Sequence, residues 1–138
     1  MKAITLWQPW ASLIAVGAKT IETRSWNTSY RGPLAIHAAK QIVMPNDLKF
    51  VQAVDALGLS YKGLPTGAVL GWCELTDCQE MTEASILGTD TLNRLFGAFR
   101  PGRYAWMLGP FHALESPVLC RGRQKLWDWV YTAPAVEG

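Results

Sequence analysis

The order of apolar and polar positions along the chain predicts short strands interspersed with short helices. Apolar, β-branched or alternating segments indicate strands at residues 3–6, 20–24, 33–37, 68–76, 103–108 and 111–115. Apolar positions at helical spacing indicate helices between Pro9 and Gly17 and over residues 47–57, with one or two short helices within residues 83–96. Residues 126–130 suit either a short helix or a final strand. Because strands and helices do not alternate regularly, this order favours a small β-barrel decorated by helices over a doubly wound sheet.

Three local patterns lead to sharper expectations. Alternation in residues 20–24 places Glu22 and Arg24 on one face of a half-buried strand, with Ile21 and Thr23 on the other. Gly71, inside an apolar strand, predicts a bulge or a close approach of another backbone. A proline at position 117 predicts the end of the last strand before it.

The composition indicates one domain with a local binding site. The 138 residues are 49% hydrophobic, which is enough for a genuine core, so we expect a single domain over residues 1–131 and a flexible tail at residues 132–138. Lys plus Arg exceed Asp plus Glu by 13 to 11. A formal charge of +2 excludes a broadly basic nucleic-acid binder, so any site for a polyanion must be local.

Cysteine usage and hydropathy exclude several other classes. Cys73, Cys78 and Cys120 form no CxxC pair and have no histidine at zinc-finger spacing, so we expect neither a disulfide scaffold nor a metal site, and no cofactor. The N-terminal residues lack the pattern of a signal peptide, and no run approaches the ~20 apolar residues of a membrane helix. We therefore expect a cytoplasmic protein with no membrane partner.

A compact cluster of charged residues in the first forty positions carries the functional signal. Lys19, Glu22 and Arg24 are either surface charges or the lining of a pocket, because burying an unpaired charge is costly. The guanidinium suits a phosphate or a base edge, the ammonium suits a phosphate, and the carboxylate suits a positioning role or a base amino group. Trp10 and Trp26 could stack on an unpaired base, at ~1–3 kcal/mol per base.

Simpler interpretations compete with each of these assignments. Glu22 and Arg24 are equally compatible with a solvated ion pair, and Trp10, like most of the seven tryptophans, is compatible with a core position. His37 is either a ligand contact or a structural histidine. The basic residues from Arg121 to Lys125 are either a strip that follows phosphates or a solvated face.

Several motifs together resemble the ASCH domain, which takes its name from activating signal cointegrator-1 homology. They are QPWASLI from Gln8, the spacing G-x-K-x-x-E-x-R from Gly17, SWNTSYRGPLAIHAAK from Ser25, GAVLGWCELTDC from Gly67, and the basic stretch before LWDW. The resemblance extends over roughly residues 2–130, and its most specific part is the first forty residues.

The resemblance implies a fold, a partner and a site. The fold is an α+β, mainly β, PUA-like β-barrel of five to six strands with two to four peripheral helices, a fold shared with RNA-binding modules. The partner is single-stranded nucleic acid, RNA in preference to DNA, or a nucleotide, and a protein partner is a further alternative. The candidate ligand-binding residues are Gln8, Trp10, Lys19, Glu22, Arg24, Ser25, Trp26, His37 and Lys40.

The same resemblance brings an enzymatic alternative. Some ASCH proteins resemble small amidohydrolases that act on acylated cytidine through a lysine, a threonine and a glutamate, and others are linked to ribonuclease activity. The lysine position corresponds to Lys19, but the threonine position is occupied by Glu22, so the hydroxyl nucleophile is not carried over. If the protein is an enzyme, we expect a metal-independent hydrolase with Lys19 and Glu22 as catalytic residues.

Overall fold

A computed structural model describes residues 1–131 of the 138-residue chain. These residues form seven strands, namely β1 (Lys2–Gln8), β2 (Ile21–Arg24), β3 (Gly32–Ile42), β4 (Ala68–Glu80), β5 (Tyr104–Leu108), β6 (His112–Leu119) and β7 (Trp127–Asp128). They also form four α-helices, namely α1 (Trp10–Ala15), α2 (Leu48–Ala56), α3 (Glu83–Leu87) and α4 (Thr91–Leu95), and one 3-10 turn at Tyr61–Gly63. The predicted class, mainly β with additional helices, is confirmed. The predicted flexible tail lies outside the described residues.

The strands belong to one sheet whose order is β2-β5-β4-β3-β1-β7. The β1–β3 pair is parallel and the other pairs are antiparallel. β4 is 13 residues long, and its edge away from β3 pairs with β6 near its start and with β5 near its end. Within residues 1–131 the sheet ends at β2 and β7, which do not pair, so the predicted closed barrel is not confirmed. These end strands have only four and two residues, and offer few backbone groups for a closing ladder.

The core lies on both sides of β1, β3 and β4. Trp106 on β5 is completely buried and packs in the largest cluster together with Ile4, Leu34 and Ile36. A second cluster joins Leu13 of α1 to residues of α2 and to Phe96, which follows α4. Helices α1 and α2 and the residues that follow α4 therefore pack together in this second cluster.

β2 is buried on both faces, so the prediction of a half-buried strand is wrong. Ile21, Glu22 and Thr23 are all buried. One neighbour is β5, and the other is the segment of α4 and residues 96–98. From that segment, Asn93 Oδ1 accepts hydrogen bonds from the amides of residues 20 and 21, and the Ala98 amide donates to Thr23 Oγ1. These contacts join residues about seventy positions apart in the sequence. The alternation of polar and apolar residues within a five-residue segment cannot predict them.

Of the two predictions made at Gly71 and Pro117, the first is confirmed and the second is wrong. At Gly71 the β4–β6 register shifts, and an added Cβ would lie 2.2 Å from the His112 carbonyl oxygen, so the predicted close approach is confirmed. Pro117 does not end β6, which continues to Leu119, so that prediction is wrong. β6 pairs with β4 alone in the described chain, and an edge strand tolerates a residue that lacks an amide proton.

Candidate functional site

Lys19 lies beneath the surface, between β2 and the residues that follow α4. Its side chain is 1% exposed. Its Nζ donates to the carbonyl oxygens of Ile21 at 2.7 Å and Phe96 at 3.1 Å, and lies 3.4 Å from Glu22 Oε1. These three acceptors match the three N–H groups of an ammonium. Burial lowers the pKa of Lys19, and the Glu22 carboxylate offsets that effect only in part. The ammonium therefore supports the site from below.

Glu22 joins this buried ammonium to the surface. Its Oε1 accepts from the Thr23 amide at 3.0 Å, and its Oε2 accepts from Arg24 Nε at 3.0 Å and lies 2.9 Å from Arg24 Nη2. Burial alone would raise the pKa of Glu22, but the charges of Lys19 and Arg24 and the Thr23 amide outweigh it and hold the pKa below its usual range. Glu22 is thus an ionised residue that positions Arg24.

Arg24 is the member of the cluster that reaches the surface. Its side chain is 23% exposed, and Nη2 also donates to the Thr5 carbonyl at 3.0 Å. Within residues 1–131, Nη1 has no hydrogen-bond acceptor. Because Nε and Nη2 are held by the protein, the remaining edge of the guanidinium is presented in a fixed orientation.

Arg24 lines a cleft between β1, β2 and the residues around α2 and α4, which we call the β2 cleft. The cleft has a volume of about 710 Å³. Its walls include Trp7 and Trp10, and Trp7 is 52% exposed. Its charged lining residues are two arginines, Arg24 and Arg103, and two carboxylates, Glu22 and Asp47, so their formal charges cancel. The β2 cleft thus combines aromatic surface with balanced charge.

Besides the buried Lys19, three of the predicted ligand-binding residues line neither this cleft nor its neighbour, namely Gln8, Ser25 and Trp26. Gln8 is completely buried, and its amide bonds Ser12 and the Pro65 carbonyl, which holds the start of α1. Trp26 packs edge-on against Trp106 with ring centroids 4.8 Å apart. Ser25 is exposed but does not line the cleft. The polar atoms of the Gln8 side chain are therefore bonded within the protein, and part of the Trp26 ring is covered by Trp106.

His37 and Lys40 line a different cleft, on the other side of β1, which we call the His37 cleft. Its volume is about 870 Å³, and it is also lined by the loop that carries Arg121 and Arg123. Thr5 lines both clefts, so the two adjoin at that residue. The structure therefore places Trp10, Glu22 and Arg24 in one cleft and His37 and Lys40 in a neighbouring one.

The hydrogen bonds around His37 determine its tautomer. Its Nε2 is 2.8 Å from the Cys120 carbonyl, which can only accept, so Nε2 carries a proton. Its Nδ1 is 3.2 Å from Thr5 Oγ1, which in turn accepts from Trp127 Nε1. Thr5 therefore donates to an unprotonated Nδ1. Burial lowers the pKa of His37, and the bond to Cys120 offsets this only in part, so the neutral ring is favoured.

Three residues of the site were missed by the sequence prediction. Trp7 was missed because the first strand was expected to end at position 6, whereas β1 continues to Gln8. Alternation along that longer strand would have placed Trp7 opposite the buried Leu6. Arg103 and Asn93 reach β2 only through the fold, and no local pattern marks them.

Three further kinds of functional feature concern the described residues: metal sites, reactive thiols and membrane-spanning helices. In residues 1–131 no group of three His, Cys, Asp or Glu side chains is placed to hold a metal ion. All three cysteines are free thiols, and burial, chiefly, raises the pKa of Cys73 to about 12. None of the helices in the described part is long and apolar enough to cross a bilayer.

Comparison of the sequence with protein families identifies a family that the chain matches over most of its length. The sequence model of the ASCH domain matches residues 4–107, which are 104 of the 138 residues. Human and mouse activating signal cointegrator 1 are each 38% identical to this chain over 81 residues. Those residues cover 54% of this chain and 14% of either relative, so the match spans a small part of much longer proteins.

Solved structures share the fold. The crystal structure of an ASCH protein from Zymomonas mobilis matches with a TM-score of 0.54 and 16% sequence identity, covering 86% of this chain and 72% of that one. A tyrosine-to-phenylalanine mutant of the Zymomonas mobilis protein matches with a TM-score of 0.53 and the same identity, covering 86% and 74%. At this identity the likeness concerns the fold alone.

Proposed function

The chain belongs to the ASCH domain family, and from this membership we propose that it binds single-stranded RNA or a nucleotide in the β2 cleft. The family is associated with RNA binding. The observation that carries the proposal is the arrangement of Arg24, which is held on one side by Glu22 and Thr5 and lines a cleft that Trp7 and Trp10 also line. A base edge offers acceptors for the N–H groups of Nη1.

The aromatic lining supports an unpaired base as the ligand. Trp7 exposes half of its surface, and Trp10, tilted against Phe50 at a centroid distance of 5.7 Å, lines the same cleft. Bases stack on aromatic side chains only when they are not already stacked in a duplex, so single-stranded ligands are favoured. Trp7 is the proposed stacking residue, because Trp10 is half-buried.

The charge of the β2 cleft supports a base over a bare phosphate. The two arginines offer donors and Asp47 offers an acceptor, which matches the mixed pattern of a base edge. A phosphate would meet the repulsion of Glu22 and Asp47. In this proposal Lys19 acts through Glu22 and does not contact the ligand.

Hydrolysis is the alternative function, and the contacts of the two candidate catalytic residues favour binding instead. The Lys19 ammonium is enclosed by three protein oxygens, and both oxygens of Glu22 already accept hydrogen bonds. A general base needs a lone pair directed at the proton that it removes. The test is incubation with acetylated cytidine and with labelled RNA. Product that forms with the wild-type protein and is lost in Glu22→Gln would establish the enzymatic alternative.

Binding is tested by titrating a short fluorescent single-stranded RNA with the wild-type protein and with Trp7→Ala. Loss of one stacked base weakens affinity by about 5- to 150-fold, which corresponds to about 1–3 kcal/mol. Leu87→Ala is the control, because Leu87 is also exposed but lines neither cleft. Equal affinity in Trp7→Ala and Leu87→Ala would contradict the assignment of the β2 cleft.

We further propose that residues 1–131 act as one domain and that the protein works in the cytoplasm. Pairing of β1 with β7 supports the first point, since it joins the two ends of the described chain. Limited proteolysis that leaves residues 1–131 as one resistant fragment, and cell fractionation, test these two expectations.

A further inference from the structure

The His37 cleft differs from the β2 cleft in its charge. Lys40, Arg121 and Arg123 line it, and no carboxylate does. The lining of the β2 cleft has balanced charge, whereas three formal positive charges meet in the His37 cleft. Since the whole chain carries only +2, these three residues concentrate the positive charge at one place. Such a cleft attracts a group with uncompensated negative charge.

This charge is not neutralised by the described part of the protein. The four ion pairs in residues 1–131 involve Lys2, Lys19, Arg24 and Arg31. None of the three cations in the His37 cleft has a carboxylate within 4.0 Å there. On an ordinary solvated face with charges of both signs, at least some of these cations would form ion pairs. The absence of such pairs in the described residues distinguishes this cleft from such a face.

The loop that carries the two arginines is held against the floor of the cleft. The Cys120 carbonyl accepts from His37 Nε2, and the Cys120 amide donates to the Gly67 carbonyl at 3.0 Å. Gly122 packs directly on His37, since an added Cβ would lie 2.6 Å from its Cε1. These contacts at positions 120 and 122 hold the backbone on either side of Arg121. A loop fixed in this way loses little conformational freedom on binding.

Lys40 lines the same cleft beside Gly67. A Cβ added to Gly67 would lie 3.4 Å from Lys40 Cγ, so the aliphatic stem of the lysine passes over that glycine. The lysine and the two arginines therefore reach the cleft from two segments of the chain, β3 and the loop after β6. His37 supports the floor between them as a neutral ring whose two nitrogens are both bonded within the protein.

We propose that the His37 cleft binds a backbone phosphate of the nucleic acid whose base occupies the β2 cleft. This inference rests on the proposed function. Thr5 joins the two clefts, with its carbonyl bonded to Arg24 on one side and its hydroxyl bonded to His37 on the other. A single strand that crosses β1 at Thr5 places a base against the tryptophans and the adjacent phosphate among the cations. Phosphate contacts fix the position of the strand, and base contacts supply any preference among sequences.

The test is the dependence of RNA affinity on salt concentration. Each phosphate contact with a single strand contributes about 0.7 to the slope of log K against log salt. Loss of the one proposed phosphate contact in the double variant Arg121→Ala/Arg123→Ala is therefore expected to lower the slope by about 0.7. Arg94→Ala/Arg100→Ala is the matched control, since it removes the same charge from residues that line neither cleft. The control variant is expected to retain the wild-type slope.

The outcomes separate this inference from the proposed function. Binding that is weakened by Trp7→Ala, together with equal slopes in the two double-arginine variants, would overturn the phosphate site alone. A lower slope only in Arg121→Ala/Arg123→Ala, with no effect of Trp7→Ala, would support the phosphate site and contradict the base site. Absence of any binding by the wild-type protein would overturn both.

Discussion

Replacement of Lys19 by methionine tests the role of the buried cluster. Methionine has a similar length and no charge, so it removes the Nζ contacts with Ile21, Phe96 and Glu22 while filling most of the space. Glu22 keeps its bonds to Arg24 but loses its buried cationic neighbour. Breaking a buried ion pair by removing one partner costs about 3–5 kcal/mol, because the other charge remains desolvated. We expect a loss near the lower end of that range, since Arg24 still compensates part of the charge.

The assay is equilibrium unfolding in urea, followed by tryptophan fluorescence. Lys2→Met is the matched control, because Lys2 also forms an ion pair, with Asp128 at 2.9 Å, but in an exposed position. Exposed pairs contribute little to stability, so the control should lose much less than Lys19→Met. An equal, small loss in both variants would refute the conclusion that Lys19 is part of the buried framework.

Two further predictions concern the same region. The low pKa of Glu22 stabilises the fold above the unfolded pKa of about 4.3, and this contribution is lost as the pH falls through the lower folded value. The difference in unfolding free energy between the wild type and Glu22→Gln should therefore shrink below about pH 4.3, and a difference that stays constant with pH would contradict the shift. Asn93→Ala removes the acceptor for the amides of residues 20 and 21, and leaving buried donors unpaired costs about 1–3 kcal/mol each. Urea unfolding of Asn93→Ala should show that loss. An unfolding midpoint equal to that of the wild type would contradict the conclusion that Asn93 holds the start of β2.

Local patterns predicted much of the sheet. The two longest strands, β3 and β4, were both identified, and Gly71 was assigned correctly because a glycine within an apolar strand has few other uses. Strand ends were less predictable. β6 passes through Pro117 because its outer edge needs no donor, and β1 extends to Gln8, whose side chain bonds Ser12 at the start of α1. The ends of both strands depend on the segments that lie next to them in the fold.

The candidate site was predictable as a set of residues but not as a geometry. The G-x-K-x-x-E-x-R spacing identified the cluster, and Glu22 and Arg24 do lie together. The burial of Lys19 depends on the residues that follow α4, about seventy positions later, so its ammonium lies beneath the β2 cleft and does not line it. Trp10, Glu22 and Arg24 line one cleft and His37 and Lys40 line the other, with Thr5 of β1 shared by both, and no local pattern contains that arrangement.

The central claim is that a base of single-stranded RNA occupies the β2 cleft, and NMR observation of the tryptophan indole N–H groups tests it most directly. During titration with a short single-stranded RNA, the indole N–H chemical shifts of Trp7 and Trp10 should change as the fraction of bound protein increases. The resonance of Trp106, which is fully buried and directed at the Trp26 carbonyl, should stay in place. Binding that leaves both the Trp7 and Trp10 resonances unchanged would contradict the account.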